Sequence, residues 1–316
     1  GIVSHAQKRY VETLRYPRLV ANYYNTFEIV KKYNGGSNKR SLKFIESLFT
    51  RHIDRIEYVH DDIFKYSDID YIIFQFTDTF RDNFKFTQDI TIFKNRPNFE
   101  NDVKPYVINQ NNNVYTFNFS FNGQRYEDSP IMYEILNAHV NQRNIDLNDF
   151  LLYHRKELVK TISSKMEKYE RFGIKTMFLI WQKDDYDIVN QDDFIDKRNV
   201  KLKFNNKIYN TISELIDENN ELTIKNDPTL SIRFDDNHPS KKCHQIIADS
   251  IISHIEEYEN NSSGPKVVPD PTLKDISRYG NLYRPRQTMF VDKIKARANL
   301  VEFFNYLIGQ TNYLSR

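Results

Sequence analysis

The chain has 316 residues, 45 basic and 43 acidic, for a formal net charge of +2. With 39% apolar and 14% aromatic side chains it can bury a sizeable core, which excludes a disordered chain. No basic footprint of a nucleic-acid binder stands out, no apolar run reaches membrane-spanning length, and no signal-peptide pattern opens the chain. The single cysteine excludes an internal disulfide and fits a reducing compartment. The bias toward Asn, Ile, Lys, Tyr and Phe is that of an AT-rich genome. The first residue is Gly rather than Met, as in a processed, tagged or excised chain.

Taken in chain order, "YVETLRYPRLVANYYN" (Tyr10–Asn25) predicts a helix entered after Pro17, with Leu19/Tyr23 and Val20/Tyr24 paired four apart. A short β run, a Gly-Gly turn and a second helix follow, the helix carrying Leu42, Ile45 and Leu48 or Phe49. "DYIIFQF" (Asp70–Phe76) reads as a strand buried on both faces. Alternation in "NVYTFNFSFNGQRYED", with Asn122-Gly123 as turn signal, predicts a peripheral β-hairpin insertion over about 85–130. A long helix then runs from a cap at Asp146 or Asn148 to Gly173. "IKTMFLIW" (Ile174–Trp181) is a buried strand, "YNTISELI" a short helix, and a further helix begins at Lys241. Strands alternating with helices give an α/β pattern.

The loop ahead of that last helix, "RFDDNHPSKK", holds Asp235-x-x-His238. A carboxylate so placed can orient one imidazole nitrogen while the other takes a proton from a nucleophile; alone, the pair reads as a solvated loop. Ser240 is placed to cap the helix. "GGSNKR" (Gly35–Arg40), between a β run and a helix, can point backbone N–H groups at an oxyanion. Cys243 lies where a helix start can lower a thiol pKa, or simply fills a small-residue position. The acidic pairs in "HDD" (60–62), "KDDYD" and "QDDF" read as solvated, and no segment has metal-site spacing.

Ser4-His5, "RYPRLVANYY", "NGGSNKR", "YIIFQFTDTFR" and "DDNHPS", in that order, resemble the SGNH (GDSL-type) hydrolase family, particularly its divergent bacteriophage members, over about residues 1–258. The resemblance implies a three-layer α/β/α sandwich around a parallel sheet and hydrolysis of acyl esters on lipids or glycans, without metal or other cofactor. It implies Ser4 as nucleophile, His238 as general base and Asp235 as its orienting carboxylate. Gly36 and the Ser4 N–H would be oxyanion donors. The family's oxyanion Asn after the central strand has no counterpart here, so Thr77 or Gln75 would substitute, or Asn38 would reach in. Only three residues precede Ser4, too few for the strand that precedes the family's serine. That strand would come from a preceding segment or another chain, or the site is degenerate.

"ENNSSGPKVVPDP" (Glu259–Pro271) reads as a linker. Beyond it, residues 272–316 are loosely similar to phage tail and virion structural proteins. Their predicted helix, about Thr288 to Ile308, carries Phe290, Ile294, Val301, Phe304 and Leu307, with Arg284 and Arg286 ahead of it, and reads as a docking segment. The expected role is therefore a virion-borne serine esterase made in the host cytoplasm, acting on an acyl-ester or glycan substrate. The alternative is a catalytically degenerate SGNH-like structural or assembly protein. In both, 272–316 would meet other virion or tail proteins.

Overall fold

The structure is a computed structural model that describes residues 14–26, 28, 37–49, 66–120, 130–226 and 238–261. Its secondary structure is mixed α/β. The chain divides into two compact units, residues 33–50 with 64–199, and residues 1–32 and 51–63 with 200–316.

In the unit containing 64–199, α2 (Asn38–Leu48) is capped by Ser37, whose Oγ accepts from the Arg40 N–H at 3.4 Å. (The preceding helix, α1, Tyr16–Tyr23, belongs to the other unit.) It buries Leu42, Ile45 and Leu48, as its spacing predicts, and Phe49 becomes the C-cap. β1 (Tyr71–Phe76) pairs in parallel with β5 (Lys175–Ile180), from Tyr71 opposite Lys175 to Phe76 opposite Ile180. β5 is buried from Thr176 onward. In β1 only Ile72, Phe74 and Phe76 are buried, so the expectation of burial on both faces holds for β5 and not for β1. On the other side of β5, Phe178 makes a parallel bridge to Asn199.

The stretch read as a peripheral hairpin is more than a hairpin. β2 (Phe84–Asp89), β3 (Val107–Asn111) and β4 (Val114–Phe119) form an antiparallel sheet in the order β2-β4-β3. A short helix, α3 (Phe99–Val103), lies between β2 and β3. The β3–β4 turn is Asn112-Asn113, with Asn112 at φ +50°, a conformation Asn tolerates better than most residues. Asn122-Gly123 lies outside the described residues. Alternation along β2 and β4 puts Phe84, Phe86, Tyr115, Phe117 and Phe119 on one face, where they share a core with Met132, Ile135 and Leu136 of α4 (Pro130–Asn141). Fully burying each such side chain is worth roughly 1.5–3 kcal/mol, so this sheet has its own means of support.

α5 (Leu147–Arg171) is the long predicted helix. Asp146 is its cap, accepting from the N–H of Asn148 at 2.8 Å and of Asp149 at 3.3 Å. It ends at Gly173, whose φ of +89° suits glycine. After β5 come α6 (Lys183–Val189) and α7 (Asp193–Asp196). Asp192, from the stretch read as solvated, caps α7 and accepts from Ser163 Oγ at 2.8 Å.

In the other unit, α1 (Tyr16–Tyr23) has Pro17 in its first turn and packs against α9 (Lys241–Asn261). β6 (Leu202–Phe204) and β7 (Lys207–Tyr209) form a hairpin through Asn205-Asn206, both at positive φ. α8 (Ile212–Glu218) starts on a capping box of Thr211 and Glu214. α9 buries Ile247, Ile251 and Ile255 and continues through Asn261, with Glu259 buried. The expected linker therefore begins inside this helix. Residues 262–316, with Arg284, Arg286 and the predicted docking helix, lie outside the described residues. No described helix is long and apolar enough to cross a membrane.

Candidate functional site

Four of the expected site residues are described: Asn38, Gln75, Thr77 and His238, with Gln75 half-buried in β1. Ser4, Gly36 and Asp235 lie outside the described residues, as does His5. The four fall in two units, and each region is described by itself.

Asn38 opens α2, and Thr77 follows the last residue of β1. The structure joins them. The Thr77 N–H donates to Asn38 Oδ1 at 2.8 Å, and Asn38 Nδ2 donates back to the Thr77 carbonyl at 3.1 Å. The second Nδ2 bond goes to Asp82 Oδ2 at 2.9 Å, which also accepts from the Asn38 N–H at 2.9 Å, while Asp82 Oδ1 accepts from the Lys39 N–H at 2.8 Å. Asp82 thus satisfies first-turn N–H groups of α2 and sits where the helix dipole favours negative charge. Asn38 is wholly buried, and both of its amide N–H groups are engaged. In this geometry it presents no donor to a ligand. The expectation that Asn38 is an oxyanion donor gives way to a positioning role: it fixes the backbone at the carboxyl end of β1. The Thr77 hydroxyl lies 3.4 Å from Asn38 Oδ1, and the side chain is half-buried.

A second polar knot lies two residues further on. Thr79 donates its hydroxyl to Asp185 Oδ1, and its N–H reaches Asp185 Oδ2 at 3.2 Å. Arg155 donates from Nε to Thr79 Oγ1 at 2.7 Å and from Nη2 to Asp185 Oδ1 at 2.8 Å. Its guanidinium stands 4.3 Å from the centre of the Phe80 ring. Burial raises the Asp185 pKa, while the Thr79 hydroxyl and the Arg155 guanidinium act in the opposite direction. Neither Asp82 nor Arg155 figured among the expected site residues. Arg155 was nevertheless legible: it occupies the apolar stripe of α5 between Leu151 and Leu158, where a charge requires a partner. Asp185 was read as one of a solvated pair. Only Asp184 keeps that character; Asp185 is buried.

His238 is exposed, and its carbonyl accepts from the Ile224 N–H at 2.8 Å. Pro239 bridges Thr223, and the Ser240 N–H donates to the Leu222 carbonyl at 2.9 Å. Ser240 caps α9 as its position predicts, its Oγ accepting from the Cys243 N–H at 3.2 Å. His238 thus stands immediately before a capped helix of 21 residues. Cys243 is fully buried, and burial pushes its thiol up to about 12. It fills core, and the lowered pKa considered for a helix-start thiol does not occur.

No group of three or more His, Cys, Asp or Glu among the described residues is arranged to hold a metal ion. Comparison of the chain with protein-family models, curated proteins and solved structures gave no match.

Proposed function

We propose that the chain is a serine esterase of the SGNH type, built on that family's α/β/α sandwich and deacylating surface glycans as part of a phage virion. The observation that supports this reading is the Asn38–Thr77 junction. Two segments that resemble the family's oxyanion-side motifs, 39 residues apart in sequence, are hydrogen-bonded to each other at the carboxyl end of a parallel strand. In open α/β sheets, that end is where ligands bind.

In this reading Ser4 Oγ attacks the ester carbonyl and His238 takes its proton. The alkoxide leaves with that proton, and water then hydrolyses the acyl-serine by the same route. Asp235 orients His238. By the resemblance, Gly36 and the Ser4 N–H are the oxyanion donors and Thr77 a further candidate, while Asn38 holds the Thr77 segment in place. No metal or other cofactor takes part, so EDTA leaves turnover unchanged. Residues 272–316 bind other virion or tail proteins.

A specific observation also favours a second reading. With both Asn38 N–H groups engaged, that side chain offers no oxyanion donor, as in a fold kept for virion assembly after catalysis is lost. A fluorophosphonate probe and a short acyl ester separate the two. The esterase reading expects labelling at Ser4 and hydrolysis, both abolished in Ser4→Ala. Absence of labelling and turnover in the full chain assigns the scaffold role instead. Turnover unchanged in Ser4→Ala rules out this nucleophile.

A further inference from the structure

We infer that the cleft between the first turn of α2 and the middle of α5 binds an oxyanion, the carboxylate or phosphate group of a ligand. Its apolar wall is made by Phe84, Leu151 and Leu158, and Lys39, His154 and Arg155 supply the nitrogen groups that line it.

The argument is a count of unspent donors. Arg155 uses Nε on Thr79 and Nη2 on Asp185 and the Asp184 carbonyl, which leaves Nη1 without a hydrogen bond to any described residue. Lys39 Nζ donates to the Asn83 carbonyl, leaving further N–H groups of the ammonium to spend. The His154 ring is held by its faces and edges: it stacks on Phe84 at 5.1 Å and meets Phe150 edge-on at 4.5 Å. Neither of its ring nitrogens bonds a described residue.

The carboxylate that lines the cleft and the one held by Arg155 are already committed. Asp82 also lines the cleft, but its two oxygens accept three N–H bonds from the start of α2. Asp185 is taken by Thr79 and Arg155. Three basic side chains with donors to spare thus share one cleft with no uncommitted carboxylate. That is the donor set an oxyanion satisfies, through charge-assisted bonds.

Protonation follows from the same geometry. Burial, and then the Lys39 ammonium, lower the His154 pKa; Glu157 on α5 opposes them. His139 on α4 is the other titratable group that senses this ring. An oxyanion seated between Lys39 and His154 favours the imidazolium, so binding raises the His154 pKa and tightens as pH falls. The inference does not depend on Ser4 or on turnover, so it stands or falls separately from the esterase reading.

The test titrates the full chain with inorganic phosphate and, separately, with acetate, against chloride at equal ionic strength, while following the His154 ring resonances by NMR. Saturable binding of either oxyanion, with a higher His154 pKa in the complex, is the expected result. Which of the two binds tells a phosphate ligand from a carboxylate ligand. Lys39→Gln and His154→Gln, checked for an unchanged melting temperature, should each weaken binding about tenfold, the loss of one charge-assisted bond. The proposal is overturned if neither oxyanion saturates, if chloride shifts the His154 ring as much, or if binding survives both substitutions. The titration of the unsubstituted protein decides the matter even if a variant fails to fold.

Discussion

The carboxyl end of β1 and the segment around His238 are built on opposite principles. At β1, the side chains of Asn38, Thr79, Asp82, Arg155 and Asp185 are tied into hydrogen-bonded knots, mostly out of water. Around His238 it is the backbone that is tied down, through Ile224 and Leu222, while the imidazole stands exposed. One region spends its polar groups on rigidity. The other fixes the backbone of an exposed residue. Substitutions should separate the two regions.

The largest effect belongs to the exposed side. On the proposed esterase reading, His238→Ala should lower turnover about a thousand-fold, since nucleophile and base would act as a unit. Its urea midpoint should stay within the roughly 0.5 kcal/mol typical of surface substitutions. A large loss of stability in this variant would erase the distinction drawn above.

On the tied side the order reverses, with stability failing first. Arg155→Met leaves Asp185 buried without its cation, and breaking such a pair costs on the order of 3–5 kcal/mol. Chemical denaturation of this variant next to Asp185→Asn measures that cost. A cost below about 1 kcal/mol, typical of exposed pairs, would mean that the knot is solvated.

Asn38→Ala should cost about 2 kcal/mol, since it strands the Thr77 N–H and part of the Asp82 carboxylate. It should also lower kcat more than it raises KM, because the Thr77 backbone loses its fixed position. Loss of stability with an unchanged kcat would confine Asn38 to the fold.

The smallest effect is at the His238 support. Ser240→Ala removes the α9 cap and should cost about 1 kcal/mol, read as a lower melting temperature. Removal of one cap should leave the pH profile of turnover in place. A shifted profile would show that Ser240 also governs His238.

Much of the local structure was legible in the sequence. The spacing of Leu42, Ile45 and Leu48, the cap at Asp146, the stop at Gly173 and the Ser240 cap all depend on neighbours within a few residues, where propensity and periodicity act. The Asn-Asn turns at 112–113 and 205–206 are equally local signals, since Asn tolerates positive φ. The segments at Asn38 and Thr77 stand out in the sequence, but the bonds between them do not. Residue type marks Asn38 as a donor, and only its partners reveal that both N–H groups are spent.

By itself, then, the sequence determined where helices begin and end and which segments carry polar chemistry, because those outcomes rest on interactions within one or two turns. Tertiary structure alone decided which acidic residues are buried. Asp184 and Asp185 are adjacent and chemically identical, yet of the two carboxylates only that of Asp185 bonds Thr79, 106 residues away, and Arg155, 30 residues away. It likewise decided that the strand at 84–89 pairs with the strand at 114–119 rather than only the latter with its neighbour, giving a sheet with a core of its own. Side-chain pairing across such distances is selected by the packing of whole elements, and a charge inside an apolar stripe such as Arg155 announces that a partner exists without naming it.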